Sequence, residues 1–314
     1  MRMFIKGGLG NQLFQYAYLH NYIFLEKHST IELIPDQITR ADRPFELDAL
    51  ADSCSHLSDV KPGVSNPAIP ISRFLRFKLR LLSLFLHSLT SNHAGTELHE
   101  KGIFQFSHPK SSQMNLGLPL RGYFQHWKYV EDAWSLIGPE LKQCFISLKS
   151  HSDILHVQER ETVIHIRGGD FKEHIDSYGA LGADYYLRAL DEISKYSIKI
   201  ESVLVLTDDV EFTESMMPKL NLSKYLILGP DECSAWEALL LMSEAKHLVT
   251  ANSTLSWWGA FLAHKSGSIC VTPNPWHRNV SGNSQIALGY PGFISVDSGL
   301  SSDSFGESTK EDKT

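Results

Sequence analysis

Nine residues, TVIHIRGGD at 162–170, hold the densest potential chemistry in this chain. A β-branched lead (Thr162, Val163, Ile164) runs into His165 and Arg167, and two glycines then permit a sharp turn before Asp170. Alternation along a strand puts His165 and Arg167 on one face, with Arg167 near the carboxyl end. In an α/β protein, ligands sit in the crevice beyond those ends. An arginine there presents a planar, permanently charged fork suited to a phosphate. Its ordinary alternative is a strand-end arginine paired with a nearby carboxylate.

Two further segments have the same character. The opening MRMFIKGGLGNQLFQYAYLH reads as an apolar strand (Met3 to Ile5), a turn through Gly7, Gly8 and Gly10, and a helix from about Asn11. Leu13, Phe14, Ala17 and Tyr18 recur at helical spacing. A glycine-rich strand-to-helix turn lets a ligand approach bare N–H groups at the positive end of a helix dipole. Tight turns also need glycine with no ligand present. The third segment is HLVTANSTLSWWGAFLAH, from His247 to His264. A strand at Leu248–Thr250 passes through Ala251 and Asn252 to a helix with hydroxyls at Ser253, Thr254 and Ser256. Those residues are ordinary helix caps, and they are also placed to donate to a phosphate at the helix start.

Together these segments resemble the bacterial α-1,2-fucosyltransferases of glycosyltransferase family 11, relatives of the animal blood-group H enzymes. The resemblance rests on GGLGNQLFQYA at the start, GYFQHWKY at 122–129, HIRGGDF at 165–171, LTDD at 206–209 and LMSEAKHLVTANSTLSWWGAF at 241–261. It implies a GT-B architecture, two Rossmann-like lobes facing a central cleft, with GDP-fucose as donor, inversion at the fucose carbon and no essential metal. Two departures stand out. Relatives often carry a second arginine where this chain has Gly168, and an acidic residue where it has Ala238.

The resemblance and the chemistry assign roles. Without a metal, cationic and N–H groups must stabilise the departing diphosphate, and Arg167 is the candidate cation. The start of the 253–261 helix, with Asn252, Ser253, Thr254 and Ser256, would add donors. The Gly10–Asn11 turn would close over the donor from the other lobe, with Asn11 or Gln12 bonding sugar or phosphate. His165 resembles a residue that approaches the guanine, and Asp208 and Asp209 would accept from the nucleoside. Inverting transfer also needs a base for the acceptor hydroxyl. Asp170, Glu173, His174 and Asp176 cluster after the arginine and any could serve, although Asp170 could equally hold the loop. The acceptor implied is a terminal β-galactoside in a surface glycan such as a lipid-linked O-antigen precursor. A non-catalytic nucleotide-sugar-binding protein and a transferase of another linkage are the alternatives.

The wider chain narrows the classes. No Asp-x-Asp motif holds a metal on the diphosphate, and no GxxxxGK[ST] is present. Leu13 stands where the third glycine of a dinucleotide fingerprint would be. A net charge of −7 over 314 residues argues against a nucleic-acid partner relying on a basic field. Cys54, Cys144, Cys233 and Cys270 show no metal-ligand spacing and read as reduced thiols. With no signal peptide and no apolar run of about 18 residues, a cytoplasmic location is expected and glycans at the sequons of Asn221, Asn252 and Asn279 are not. The tryptophans, including Trp127, Trp134, Trp257 and Trp258, read first as core.

Positioning falls to alternating strands and helices from Ile154 to about Pro273, which predict a doubly wound parallel sheet. The expected division is an N-terminal Rossmann-like acceptor lobe with insertions (1–150), a C-terminal donor lobe (151–298) and a disordered tail (299–314). Arg73–Leu89 reads as an amphipathic helix with a basic stripe, packed on its own domain, lying at a membrane surface or forming a subunit interface.

Overall fold

A computed structural model describes residues 2–26, 32–35, 45–50, 122–152, 161–169, 179–278 and 288–300. The chain forms two units, Met1–Cys144 and Phe145–Thr314. The division lies inside a helix, six residues before the expected boundary at 150.

In the first unit, β1 (Arg2–Ile5) and β2 (Glu32–Pro35) pair in parallel, joined through helix α1 (Leu9–Glu26). Leu13, Phe14, Ala17 and Leu19 are all within 1% of full burial, so α1 is a core helix. Helix α2 (Trp127–His151) was not foreseen, although its spacing is legible. Tyr129, Val130, Ala133, Ile137 and Leu141 make one buried stripe, and Pro139 sits on the exposed side. The last turns of α2 belong to the second unit. There Phe145 meets the Trp236 ring edge-on, and Ser152 Oγ donates to Glu237 Oε1 at 2.6 Å.

The second unit is a six-stranded, all-parallel sheet. Its strands are β3 (Thr162–Ile166), β4 (Val203–Thr207), β5 (Tyr225–Leu228), β6 (His247–Val249), β7 (Ile269–Asn274) and β8 (Ile294–Asp297). Their spatial order is β5-β4-β3-β6-β7-β8. The order reverses between β3 and β6, which makes that gap the topological switch point. Helices α3 (Ala183–Ser194) and α4 (Val210–Leu220) cover one face, packing on Ile164, Ile166, Val203, Val205, Val249 and Val271. Helices α5 (Ala235–Ser243) and α6 (Thr254–Lys265) cover the other, packing on Val163, Leu204, Leu206, Leu248 and Cys270. The two sets alternate along each strand, as period-2 geometry requires of a sheet buried on both faces. Where α5 and α6 meet, a Cβ on Gly259 would come within 2.7 Å of Met242 Cβ, so glycine permits the close approach. Two successive α/β units, the second doubly wound, give the GT-B class of architecture.

Most predicted elements lie within two or three residues of those observed. Strand β8 was missed, and of the residues expected in a disordered tail Leu300 is instead buried against Gly179. Residues 301–314 and the Arg73–Leu89 helix lie outside the described residues. Trp257 and Trp258 are fully buried, Trp257 stacked on Phe261 at 5.4 Å, so both are core. Asn252 is fully buried as well, and Cys144, Cys233 and Cys270 are buried free thiols.

Candidate active site at the sheet switch point

Arg167 follows the last residue of β3 and sits at the carboxyl end of the switch-point strand. Asp208, just past the end of β4, holds it there. Its Oδ2 lies 3.1 Å from Arg167 Nη1, and its Oδ1 accepts from Gly168 N–H at 2.9 Å and Gly169 N–H at 3.3 Å. The carboxylate therefore orients both the guanidinium and the turn that follows. Asp209 bends the other way and caps α4, accepting from Phe212 N–H at 2.9 Å. Asp208 and Asp209, both expected to accept from a nucleoside, are engaged within the protein, Asp208 with the β3 turn and Asp209 with a helix start. The backbone alternation that separates adjacent side chains explains the divergence.

The Gly168 departure has a physical cause. A Cβ there would fall 2.5 Å from Phe212 Cδ1 and 3.0 Å from Asp209 Cβ. A Cβ on Gly169 would fall 2.5 Å from Asp208 Oδ2. The pair of glycines lets the chain pass close under α4 and bring both N–H groups to Asp208. Ala238, the other departure, is buried in the core beneath the sheet, and its neighbour Glu237 closes a capping box with Ser234.

His165 is 4% exposed and lies on the α6 side of the sheet, with Nδ1 in a short hydrogen bond to Ser256 Oγ. Burial pushes its pKa down to about 4; Asp208 opposes that shift and Arg167 adds to it. The imidazole is thus neutral near pH 7. Ser253 caps α6, accepting from Ser256 N–H at 3.1 Å, and Asn252 Nδ2 donates to Gly179 C=O at 2.9 Å. Side chains expected to face a phosphate are therefore largely turned to the protein. The N–H groups of Thr254 and Leu255, in the first turn of α6, have no intrahelical acceptor, and Thr254 itself is half-buried.

Two tyrosines that sequence reading passed over complete the switch point. Strands β3 and β6 are in register up to Ile164 and Val249, and His247 N–H donates to Glu161 C=O at 3.0 Å. Continuing that ladder one rung would join His165 C=O to Ala251 N–H. Instead Ala251 N–H donates to Ser256 Oγ at 3.2 Å, and His165 C=O accepts from Tyr186 Oη at 3.2 Å. On the other side of β6, the next rung would require an N–H from Pro273, which proline lacks. There Thr250 C=O accepts from Tyr185 Oη at 2.8 Å. The strands part beside Arg167 because side chains take over the freed backbone groups. Both tyrosines are fully buried, which raises their hydroxyl pKa well above the ordinary value.

In the first unit the glycine turn is held by amides. Gln12 Nε2 donates to Gly7 C=O at 2.8 Å, and Gln12 Oε1 accepts from Glu46 N–H at 2.9 Å. Gln15 bonds both the N–H and the C=O of Lys6, at 3.1 and 2.8 Å. Gly7 has φ +80°, and a Cβ on it would meet Asn11 Nδ2 at 2.5 Å. Asn11 Oδ1 accepts from Gln125 Nε2 at 2.5 Å, which ties the GYFQHWKY segment to this turn. Gln12, expected to bond sugar or phosphate, has both ends of its amide on backbone groups, at Gly7 in the turn and at Glu46. Gly10 is buried in the second position of α1. Gln15, which the sequence reading did not single out, is the turn's other brace. The proposed bases Asp170, Glu173, His174 and Asp176 lie outside the described residues. Among the described residues, no group of three or more His, Cys, Asp or Glu side chains could hold a metal.

Residues 85–285 match the family model described as glycosyl transferase family 11. The chain belongs to glycosyltransferase family 11. It is 30% identical to the Escherichia coli O-antigen biosynthesis glycosyltransferase WbnK, over 93% of this chain and 99% of that protein. It is 26% identical to an α-1,2-colitosyltransferase of the same organism, over 89% and 93%. Among solved structures it is similar to the E. coli heptosyltransferase WaaC with ADP, at 10% identity, 95% and 93% coverage and a TM-score of 0.47. The family 11 chain is thus a glycosyltransferase, with its strand-end arginine in the α/β crevice. No helix among its described residues is long and apolar enough to cross a membrane.

Proposed function

We propose that this family 11 enzyme transfers L-fucose from GDP-fucose, with inversion, to the 2-hydroxyl of a terminal β-galactoside in O-antigen or another surface glycan. One observation carries the reading: Arg167, pre-oriented by Asp208, stands at the carboxyl end of the switch-point strand, two residues from His165, whose ring bonds Ser256 in the first turn of α6. The leaving diphosphate develops negative charge as the glycosidic bond breaks, and a guanidinium with helix N–H groups stabilises it. The second unit is assigned the donor and the first unit the acceptor. No metal is assigned to the reaction, since Arg167 supplies the charge a metal would. The base is assigned to the acidic cluster at 170–176. A lipid-linked acceptor is in keeping with the similarity to an O-antigen biosynthesis enzyme.

Transfer of colitose in the same linkage is the second reading, because one relative is an α-1,2-colitosyltransferase. The test is a GDP-release assay with GDP-fucose across β-galactosides such as lactose and Galβ1-3GalNAc, run with and without excess EDTA. The expected product loses its fucose to an α-1,2-fucosidase and forms equally well in EDTA. Fucose on a 3-, 4- or 6-hydroxyl, or dependence on added manganese, contradicts the proposal. Release of GDP from GDP-colitose alone favours the second reading.

A further inference from the structure

Strand β5 forms one edge of the six-stranded sheet, and the backbone on its outer side is unspent. Val203 N–H donates to Lys224 C=O at 3.1 Å, and Val203 stands opposite Tyr225 in the parallel register. In a strand the N–H and C=O of successive residues point to opposite sides, so Tyr225 and Ile227 turn theirs away from β4. Among the described residues nothing bonds those four groups. The far edge of the sheet is different. There Arg188 Nε and Nη2 both donate to Asp297 C=O at the end of β8, at 3.1 and 2.9 Å.

A short edge strand flanked by Lys224 and Pro230 resists arbitrary pairing. A partner must match its ends on both faces, and the chain's own β5 does so. Placed antiparallel with Leu226 opposite Leu226, two copies set Tyr225 opposite Ile227, and each such pair exchanges two hydrogen bonds. All four outward groups of each copy are then met. On the face covered by α4, Tyr225 is 47% exposed at one end of the strand and Val210 is 38% exposed at the other. Gly229 has no side chain, and Val210 Cγ2 lies 2.5 Å from where its Cβ would stand. The ring of Tyr225 would therefore reach the other copy's Val210 diagonally across the strand pair, unobstructed. On the α5 face, the exposed Lys224 would come beside the other copy's turn into α5, which carries the exposed Asp231 and Glu232. Each contact occurs twice, which is how a two-fold axis uses a self-complementary surface.

We infer that the β5 edge is a self-association surface, on which a second copy of this chain adds its own β5 antiparallel about a two-fold axis at Leu226 and joins the two sheets into one. Because the strands run in opposite directions, the two crevices at Arg167 open at opposite ends of the joined sheet. Neither is covered by the contact, since β4 lies between β5 and β3.

Sedimentation velocity of the full chain provides the test. It should show a particle of twice 35.4 kDa. That particle should dissociate on dilution below about 1 μM, as suits a small interface. Tyr225→Pro removes an N–H that serves nothing within the described fold, at a position where an edge strand tolerates proline. It should sediment as a monomer and unfold at the wild-type temperature. Lys224→Glu replaces two exposed attractions with repulsions and should raise the dimer Kd about tenfold. Leu226→Cys tests the register without depending on either variant. Residues opposite each other in a non-hydrogen-bonded pair lie about 4.5 Å apart at Cα, within disulfide range. With diamide this variant should form a covalent dimer, while Tyr225→Cys, which faces Ile227, and the wild type should not. A wild-type monomer at every concentration overturns the inference. So does a dimer that persists unchanged in Tyr225→Pro and Lys224→Glu, or one that Leu226→Cys fails to cross-link, because the copies would then meet elsewhere.

Discussion

At the residue scale, the site is a set of side chains that hold one arginine in place. Asp208 contributes a charge-assisted bond to Arg167 and accepts two N–H groups, so in the proposed role Arg167 would need little ordering to meet a phosphate. Gly168 is part of the same arrangement. Restoring the arginine that relatives often carry would place its Cβ within 2.5 Å of the Phe212 ring. Gly168→Arg should therefore lower stability by about 1–3 kcal/mol, the usual cost of overpacking, and reduce transfer. Urea unfolding and the GDP-release assay check this. A variant as stable as wild type, with higher activity, would show that Phe212 yields and that the glycine marks a missing ligand. His165, Arg167 and the hydroxyls of α6 were legible as chemistry from type and spacing. Their partners were not, because which acceptor a serine or aspartate meets is set by contacts 40 to 90 residues away in sequence.

At the element scale, the decisive feature is the early parting of β3 from its neighbour β6. Pro273 and the diverted Ala251 N–H end the ladders, and Tyr185 and Tyr186 receive the carbonyls left over. Each Tyr→Phe change would strand a buried carbonyl, at a cost of about 1–3 kcal/mol. The two variants should differ in function. Tyr186→Phe loosens the backbone of His165, one residue pair from Arg167, and should raise the donor KM, whereas Tyr185→Phe should mainly lower stability. Equal effects of both variants on KM would contradict this division. The strands and helices of the sheet were readable because both faces are buried, giving apolar runs of four to five residues such as Val203–Leu206 between turn signals. Strand β8 escaped because its burial alternates between partial and exposed, as suits an edge strand. Helix α2 escaped because Gly138 and Pro139 interrupt its pattern, although Pro139 lies on the exposed side where its ring is tolerated.

At the scale of the whole molecule, buried neutral histidines tie stability to pH. Burial pushes His165 and His277 down to about 4 and lowers His247 less far, against an ordinary value of 6.5. A folded-state pKa below the unfolded one means that the unfolded chain takes up protons first as pH falls. For His165 and His277 the stabilisation is complete above about pH 6.5 and is lost progressively toward pH 4, at up to about 1.4 kcal/mol per pH unit for each of the two. Unfolding free energy should therefore be clearly lower at pH 5 than at pH 7.5. His277→Phe should flatten the dependence, and an unchanged slope in that variant would show that His277 takes no part. The family was legible in the sequence, since five motifs run in order from Gly7 to Phe261. The expected boundary at 150 and the division after Cys144 both fall inside α2.

The central claim is that Arg167 stabilises the departing diphosphate, and the GDP-release rate of Arg167→Ala tests it most directly. With GDP-fucose and a β-galactoside at saturation, the variant should lose on the order of 100- to 1,000-fold in kcat while its thermal unfolding stays close to that of the wild type. A variant that unfolds normally and keeps its rate within about threefold of wild type, far short of the loss of one strong transition-state contact, would contradict the claim.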